Sequence, residues 1–215
     1  MTKELVKKNS PLLDRLTKEV LEMMPPAEYL NLKMEPQTFH GSKNLFDVSI
    51  VLSFCACKVL PMHFSSKPTI LESFHNANKL IRDRWESGIQ ESGISLVLKK
   101  DYLALDNEMY MQTRIPLVTR IDEKLVVMYF YYLNTNELQK IKETSARKKD
   151  VYENCAGIYL LNADKGVIVY EDGINCEMFE IGRDPKLFET IERKCKMMRD
   201  YLLIKKVPKC KCKKQ

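Results

Sequence analysis

The sequence predicts an α/β protein with a mixed central sheet and helices on both faces. Three observations support this fold class. Helical periodicity dominates the N-terminal part, segments rich in β-branched and aromatic residues follow, and helices then alternate with a hairpin toward the C-terminus. Apolar residues make up 45% of the 215 residues, which is enough to bury a core and excludes wholesale disorder.

Helices are predicted first, over residues 3–24, 46–60 and 68–88. The first and third have apolar residues at helical spacing, and the second has a nearly continuous apolar run typical of a buried helix. Pro25 and Pro26 should end the first helix because proline lacks the backbone N–H that a helix needs. Thr69 and Gly88 lie near the expected ends of the third.

Strands are predicted next, in the segments 94–106, 108–120 and 124–134. Asp122 and Glu123 form a polar turn between the last two, which indicates a meander. Helical spacing returns over 135–162 as two helices that meet near Ser145. A hairpin is predicted around Asp172 and Gly173, and a final helix has Asp184 as its N-cap and Pro185 at its first position.

These patterns suggest an N-terminal helical segment (1–45), an α/β domain (46–204) and a basic Cys/Lys tail (205–215). No apolar run approaches the roughly 20 residues that span a bilayer, so no membrane role is expected. The N-terminus lacks the apolar core of a signal peptide. We therefore predict a cytoplasmic protein whose seven cysteines are reduced thiols or metal ligands.

The net charge of +6 is concentrated at the C-terminus, where the last eleven residues contain six lysines and no acid. The rest of the chain is close to neutral. The basic tail is either a solvated segment that aids solubility or a phosphate-binding one. On the second interpretation, the residues expected to contact nucleic acid are Arg147, Lys148, Lys149, Lys205, Lys206 and Lys209.

The order of elements, together with "LESFHNANKL" and "CAGIYLL", resembles the PD-(D/E)XK nuclease superfamily. The similarity is strongest to RecB-like and CRISPR-associated exonucleases, including viral relatives. The resemblance implies a Gly-x-x-x-His helix, a strand with Asp, a strand with Glu-x-Lys and a helix with Gln-x-x-x-Tyr. In that family the acids and the His hold divalent metals that activate a water at the scissile phosphate.

The motif positions of this chain are largely substituted. The Gly position is Leu71, and the Gln position is Cys155. The expected Asp falls on Pro116 or Leu117, and the Glu and Lys fall on Tyr129 and Tyr131, or on Met128 and Phe130 in the neighbouring register. Two motif positions retain the family's residue, namely His75 and Tyr159. Neither register supplies an acid, so the resemblance implies a nuclease-like domain with a degenerate active site.

The favoured interpretation is a pseudoenzyme that binds DNA, RNA or a protein partner in replication, recombination or the contest between a mobile element and its host. One alternative is an active DNA exonuclease or endonuclease that uses Mg²⁺ or Mn²⁺ and relocated acids, for which the candidates are Glu72, Asp101, Asp106, Glu108 and Asp122. A second alternative is an interaction module without a role in nucleic-acid binding.

Two Cys-x-Cys motifs, "CAC" and "CKC", are candidates for a metal site. The resemblance implies an iron–sulfur cluster, or zinc, held by Cys57, Cys210 and Cys212. The alternative is that these residues are free thiols. If Cys55 and Cys57 both lay within a helix, their side chains would point to opposite sides and could not share one metal.

Overall fold

A mixed six-stranded sheet lies at the centre of the computed structural model, which describes residues 5–24, 27, 32–39, 45–53, 55–64, 69–73, 75–99 and 102–209. In spatial order the strands are β1 (Val6–Lys7), β11 (Cys176–Ile181), β10 (Lys165–Glu171), β9 (Lys124–Tyr132), β8 (Leu117–Ile121) and β5 (Ser95–Leu98). Strands β9 and β10 run parallel, and the other neighbours are antiparallel.

Two smaller sheets accompany the central one. The first contains β3 (Phe46–Asp47), β7 (Met111–Ile115) and β6 (Tyr102–Asp106), and the second pairs β2 (Glu35–Phe39) with β4 (Thr69–Ser73). Pro116 separates β7 from β8, so the strand predicted over 108–120 is divided between two sheets. The strand predicted over 94–106 is likewise divided into β5 and β6.

Helices cover both faces of the central sheet, as the sequence predicted. They are α1 (Pro11–Leu16, continued by a π-helical turn, Thr17–Leu21), α2 (Val48–Ser53), α3 (Ala56–Phe64), α4 (His75–Glu91), α5 (Thr135–Glu143), α6 (Lys148–Leu160) and α7 (Pro185–Leu203). One core lies between the sheet and α2, α3, α5, α6 and α7, and a second lies between the opposite face and α1 and α4. Alternate residues of β9 enter the two cores, as the period of a strand requires.

Two of the predicted helices begin later than the sequence pattern indicated, and the helix expected over 46–60 is divided into α2 and α3 after the short strand β3. The helix expected over 3–24 starts at Pro11, because Ser10 caps it by accepting the N–H of Leu13 at 3.2 Å. Val6 and Lys7 instead pair with β11. The helix expected over 68–88 starts at His75, because the preceding segment is strand β4.

The C-terminal half follows the prediction closely. Helices α5 and α6 are separated at residues 144–147, and Asp184 caps α7 by accepting the N–H of Leu187 at 3.1 Å. The β10–β11 hairpin has a longer turn than expected, because Asp172 accepts the N–H groups of both Ile174 and Asn175.

Among the residues that the structure describes, no helix is long and apolar enough to cross a bilayer. The division at residues 45 and 204 stays a prediction.

Candidate functional site

A cleft of about 130 Å³ lies where α4, the β7–β8 junction, β9 and α6 meet. The described residues that line it are His75, Asn78, Lys79, Arg82, Arg114, Pro116, Tyr129, Phe130, Tyr131 and Glu153. Five of them are positions onto which the nuclease motif was mapped from the sequence in one register or the other, namely His75, Pro116, Tyr129, Phe130 and Tyr131. The structure therefore brings the degenerate motif positions into one cleft.

Tyr159, the other retained motif residue, does not line this cleft. Its ring stacks on Phe188 with 4.3 Å between ring centroids, and the guanidinium of Arg183 lies 4.7 Å from its centroid. Cys155, which the sequence placed at the Gln position, is fully buried, and burial raises the pKa of its thiol to about 12. These two residues therefore act as packing residues of α6.

Tyr129 and Gly157 fit each other closely between β9 and α6. A Cβ atom at position 157 would lie 2.5 Å from the Tyr129 hydroxyl oxygen. That hydroxyl lies 3.4 Å from Thr113 Oγ1, so it has a polar neighbour inside the core. Burial, and then the proximity of Glu153, raise the pKa of Tyr129 well above its ordinary value. The side chain at the expected Glu position is therefore a neutral phenol.

Glu153 is a functional candidate that the sequence did not identify. It lies on α6, and its Oε2 accepts a hydrogen bond from the Tyr131 hydroxyl at 3.0 Å. Burial, together with the nearby carboxylates of Asp47 and Asp150, raises the pKa of Glu153 to about 8. The motif places its acids on strands, whereas the carboxyl group of Glu153 comes from a helix. With this pKa, the group is largely protonated at neutral pH.

Asp150 lies one turn of α6 before Glu153, and its side chain is buried. Its Oδ2 accepts hydrogen bonds from the Tyr170 hydroxyl at 2.7 Å and from Arg147 Nε at 2.6 Å. The Arg147 guanidinium also lies over the rings of Tyr131 and Tyr170, 5.5 and 5.4 Å from their centroids. Arg147, expected from the sequence to contact nucleic acid, is thus engaged in this internal network.

Cationic and polar side chains face the cleft from one side of α4. His75, Asn78, Lys79 and Arg82 follow the i, i+3, i+4, i+7 spacing that places residues on one helix face. Asn78 Oδ1 accepts the N–H of Tyr132 at 2.7 Å, which fixes the amide and orients its nitrogen as a donor. Arg82 is buried and pairs with Asp83. This spacing is visible in the sequence and could have identified the basic side of the cleft.

Arg114 adds a third cationic side chain to the cleft, from strand β7. Glu153 is the only acid among the described lining residues. Within the described ranges, no group of three or more His, Cys, Asp or Glu side chains is arranged to hold a metal ion. The cleft is therefore suited to an anion.

The acids considered for a relocated metal site are not in the cleft where the structure describes them. Asp106 accepts the N–H groups of Glu108 and Met109 in the turn after β6, and Glu108 is exposed. Asp122 is exposed and pairs with Arg15. The side chain of Glu72 and the whole of Asp101 lie outside the described residues.

The remaining residues expected to bind nucleic acid are on the surface. Lys148 and Lys149 are exposed in the first turn of α6, and Lys205, Lys206 and Lys209 are exposed after α7. Lys149 lies close enough to Glu153 to favour the ionised form of Glu153. Lys149 is therefore near the cleft. These five lysines stay candidates for phosphate contact.

The first Cys-x-Cys motif differs from the sequence expectation. Cys55 precedes the first residue of α3, so the two residues do not lie in one helix, and their Sγ atoms are 2.7 Å apart. The condition for opposite orientation, a shared helix, is therefore not met, and the two thiols converge. Converging thiols are the donors that zinc and iron–sulfur clusters use. Cys210 and Cys212 lie outside the described residues, so the shared site with Cys57 stays a prediction.

This chain is similar to known proteins in structure and not in sequence. No protein-family model matches the sequence, and no match to a curated protein was found. An alkaline exonuclease from Laribacter hongkongensis is similar in structure, with a TM-score of 0.57 and 13% identity, over 75% of this chain and 89% of the exonuclease. The same exonuclease in complex with dAMP gives a TM-score of 0.58 at 11% identity, over 76% and 89% of the two chains. The chain therefore shares its fold with this alkaline exonuclease.

Proposed function

We propose that this protein is a catalytically degenerate, nuclease-like protein that binds nucleic acid through its cleft without cutting it. One observation carries the proposal. Pro116, Tyr129 and Tyr131 occupy the positions expected for the catalytic Asp, Glu and Lys, in a cleft that also contains three cationic side chains. The fold supports a nuclease ancestry, and the replaced side chains support the loss of the reaction.

The side chains in the cleft are poor ligands for a catalytic metal. Mg²⁺ and Mn²⁺ favour oxygen ligands, usually ionised carboxylates together with water and substrate phosphate. Burial keeps the phenols of Tyr129 and Tyr131 neutral by raising their pKa values. Glu153, with a pKa of about 8, is mainly uncharged at neutral pH. Asp150 is neutralised by Arg147. This set of groups supports binding without hydrolysis.

The cationic side chains of the cleft are suited to binding a phosphate. Lys79, Arg82 and Arg114 line the cleft as cationic side chains, and the charge of Arg82 is partly balanced by its pair with Asp83. A volume of about 130 Å³ is far below the roughly 300 Å³ of typical ligand pockets, so it suits a phosphate group better than a whole nucleoside. A protonated Glu153 would donate a hydrogen bond to a phosphate oxygen instead of repelling it. Lys148 and Lys149 would extend the contact along the backbone.

Binding of this kind fits a role in replication, recombination or the interaction of a mobile element with its host. We propose that the partner is DNA or RNA and that binding takes place in the cytoplasm. Phosphate contacts provide most of the affinity in sequence-independent binding and make it depend on salt. We therefore expect binding that weakens steeply as salt rises.

A matched pair of double variants tests the proposal. Lys79→Ala with Arg114→Ala removes two cations of the cleft, and Arg120→Ala with Lys140→Ala removes two exposed cations elsewhere. We expect the first variant to bind labelled single- or double-stranded DNA about tenfold more weakly, equivalent to about 1.4 kcal/mol. The control should bind like the wild type. Fluorescence anisotropy at several salt concentrations in EDTA gives both affinities.

Equal affinities of the two variants would contradict binding in the cleft. Absence of DNA and RNA binding at low salt would favour the interaction module instead.

A further inference from the structure

Strand β6 is an edge strand with an unusually apolar surface. It is last in the order β3-β7-β6, so among the described strands it has a neighbour on one side only. Tyr102, Leu103 and Leu105 are exposed by 43%, 45% and 51%. Exposed apolar edges are sites of strand pairing with another chain, because unpaired backbone groups lie beside apolar side chains.

Among the described strands, the other edges of these two sheets have protective features that β6 lacks. Strands β1 and β3 have only two residues each, and the pairing of β5 is irregular between Leu96 and Leu98. Short strands and irregular pairing both discourage association. Strand β6 has five residues in unbroken register with β7, and none of its first four is charged. It thus offers a regular, unprotected template.

The sequence of β6, Tyr-Leu-Ala-Leu-Asp, is complementary to itself when paired antiparallel about Ala104. Leu103 of one copy then faces Leu105 of the other, and Tyr102 faces Asp106. Leu103 and Leu105 share one face, so the pairing would bury four leucine side chains together. Asp106 uses Oδ1 for the turn that follows, which leaves Oδ2 to accept the phenol of Tyr102.

We propose that β6 pairs antiparallel with β6 of a second copy of this chain, forming a symmetric dimer with a continuous six-stranded sheet. Such a symmetric interface uses the same patch on both subunits, as most homodimers do. The two β7 strands, each with its Arg114, would lie about 14 Å apart across this sheet, at about 4.8 Å per strand. The dimer does not depend on the proposed nucleic-acid function.

A charge pair tests both the dimer and its register. We expect the wild type to be a dimer by analytical ultracentrifugation, and Leu103→Lys and Leu105→Glu to be monomers when each is alone. Position 103 of one copy faces 105 of the other, so an equimolar mixture of the two variants should restore a dimer through one Lys–Glu pair and one Leu–Leu pair. A mixture of Leu103→Lys with Leu103→Glu lacks such a pairing and should stay monomeric.

Several outcomes would overturn the proposal. These are a wild type that is monomeric at the highest concentration reached, a dimer that survives Leu103→Lys, or equal recovery in the two mixtures. Ile174→Lys, at an apolar residue exposed by 77% in the β10–β11 turn, is the control for added charge and should remain a dimer. Circular dichroism melts establish that each variant is folded.

Discussion

Glu153 and Tyr131 form a hydrogen bond in the cleft, and the protonation state of Glu153 changes the net charge there. An ionised Glu153 would offset part of the positive charge that α4 and β7 contribute, whereas a protonated Glu153 adds a hydrogen-bond donor.

Residue spacing could have revealed the basic side of the cleft, because His75, Asn78, Lys79 and Arg82 lie on one helix face. The pKa of Glu153 could not be predicted, because it arises from burial and from Asp47, which is distant in the sequence.

The raised pKa of Glu153 has a consequence for stability. The pKa is about 8 in the folded state and near 4.5 when the side chain is free, so the folded state binds more protons between these values. Its contribution therefore makes stability fall as pH rises from about 4.5 to about 8. We therefore expect the stability of Glu153→Gln relative to the wild type to increase by roughly 4 kcal/mol between pH 5 and pH 8.5.

Urea unfolding of both proteins at the two pH values measures this difference. A wild type that gained stability relative to Glu153→Gln as pH rises would contradict the assigned environment of Glu153.

At the scale of elements, β9 packs against α6 through a large residue of the strand that faces a small residue of the helix. Tyr129 projects toward α6, and Gly157 leaves room for its ring. The sequence predicted both elements correctly, since β9 has a strong strand pattern and α6 a helical one. It could not predict their contact, which depends on how the helix packs across the sheet. The switch to strand in β4 was missed for the same reason, because β4 is held by pairing with the remote β2.

We expect Gly157→Ala to destabilise the protein by about 2 kcal/mol, since a rigid ring must move to accommodate the new Cβ. Combining it with Tyr129→Phe should recover part of this loss, because the nearest remaining ring atom lies 3.1 Å from that Cβ. Denaturant unfolding of the single and double variants gives the coupling energy.

Gly88→Ala on α4 is the matched control. Its Cβ would meet Met24 Cγ at 2.5 Å and Val20 Cγ1 at 3.1 Å rather than Tyr129, so we expect its effect and that of Tyr129→Phe to be additive. Strictly additive effects of Gly157→Ala and Tyr129→Phe would show that the two positions are not coupled.

At the scale of the whole molecule, the mixed sheet with helices on both faces was predictable from the order of elements. The separation of β6 and β7 from β5 and β8 was not, because Pro116 and the region near residue 100 divide segments that look continuous in the sequence. The cleft lies at this division, beside Pro116. The fold is thus shared with an exonuclease, while Pro116, Tyr129 and Tyr131 stand where the resemblance implies an Asp, a Glu and a Lys.

Cleavage of DNA by the purified wild type tests the central claim most directly. Labelled single- and double-stranded DNA is incubated with the protein in Mg²⁺, in Mn²⁺ and in EDTA, and the products are separated on denaturing gels. We expect intact DNA under all three conditions, together with binding that persists in EDTA. Metal-dependent cleavage that remains with the protein through further purification, and that EDTA abolishes, would contradict the account.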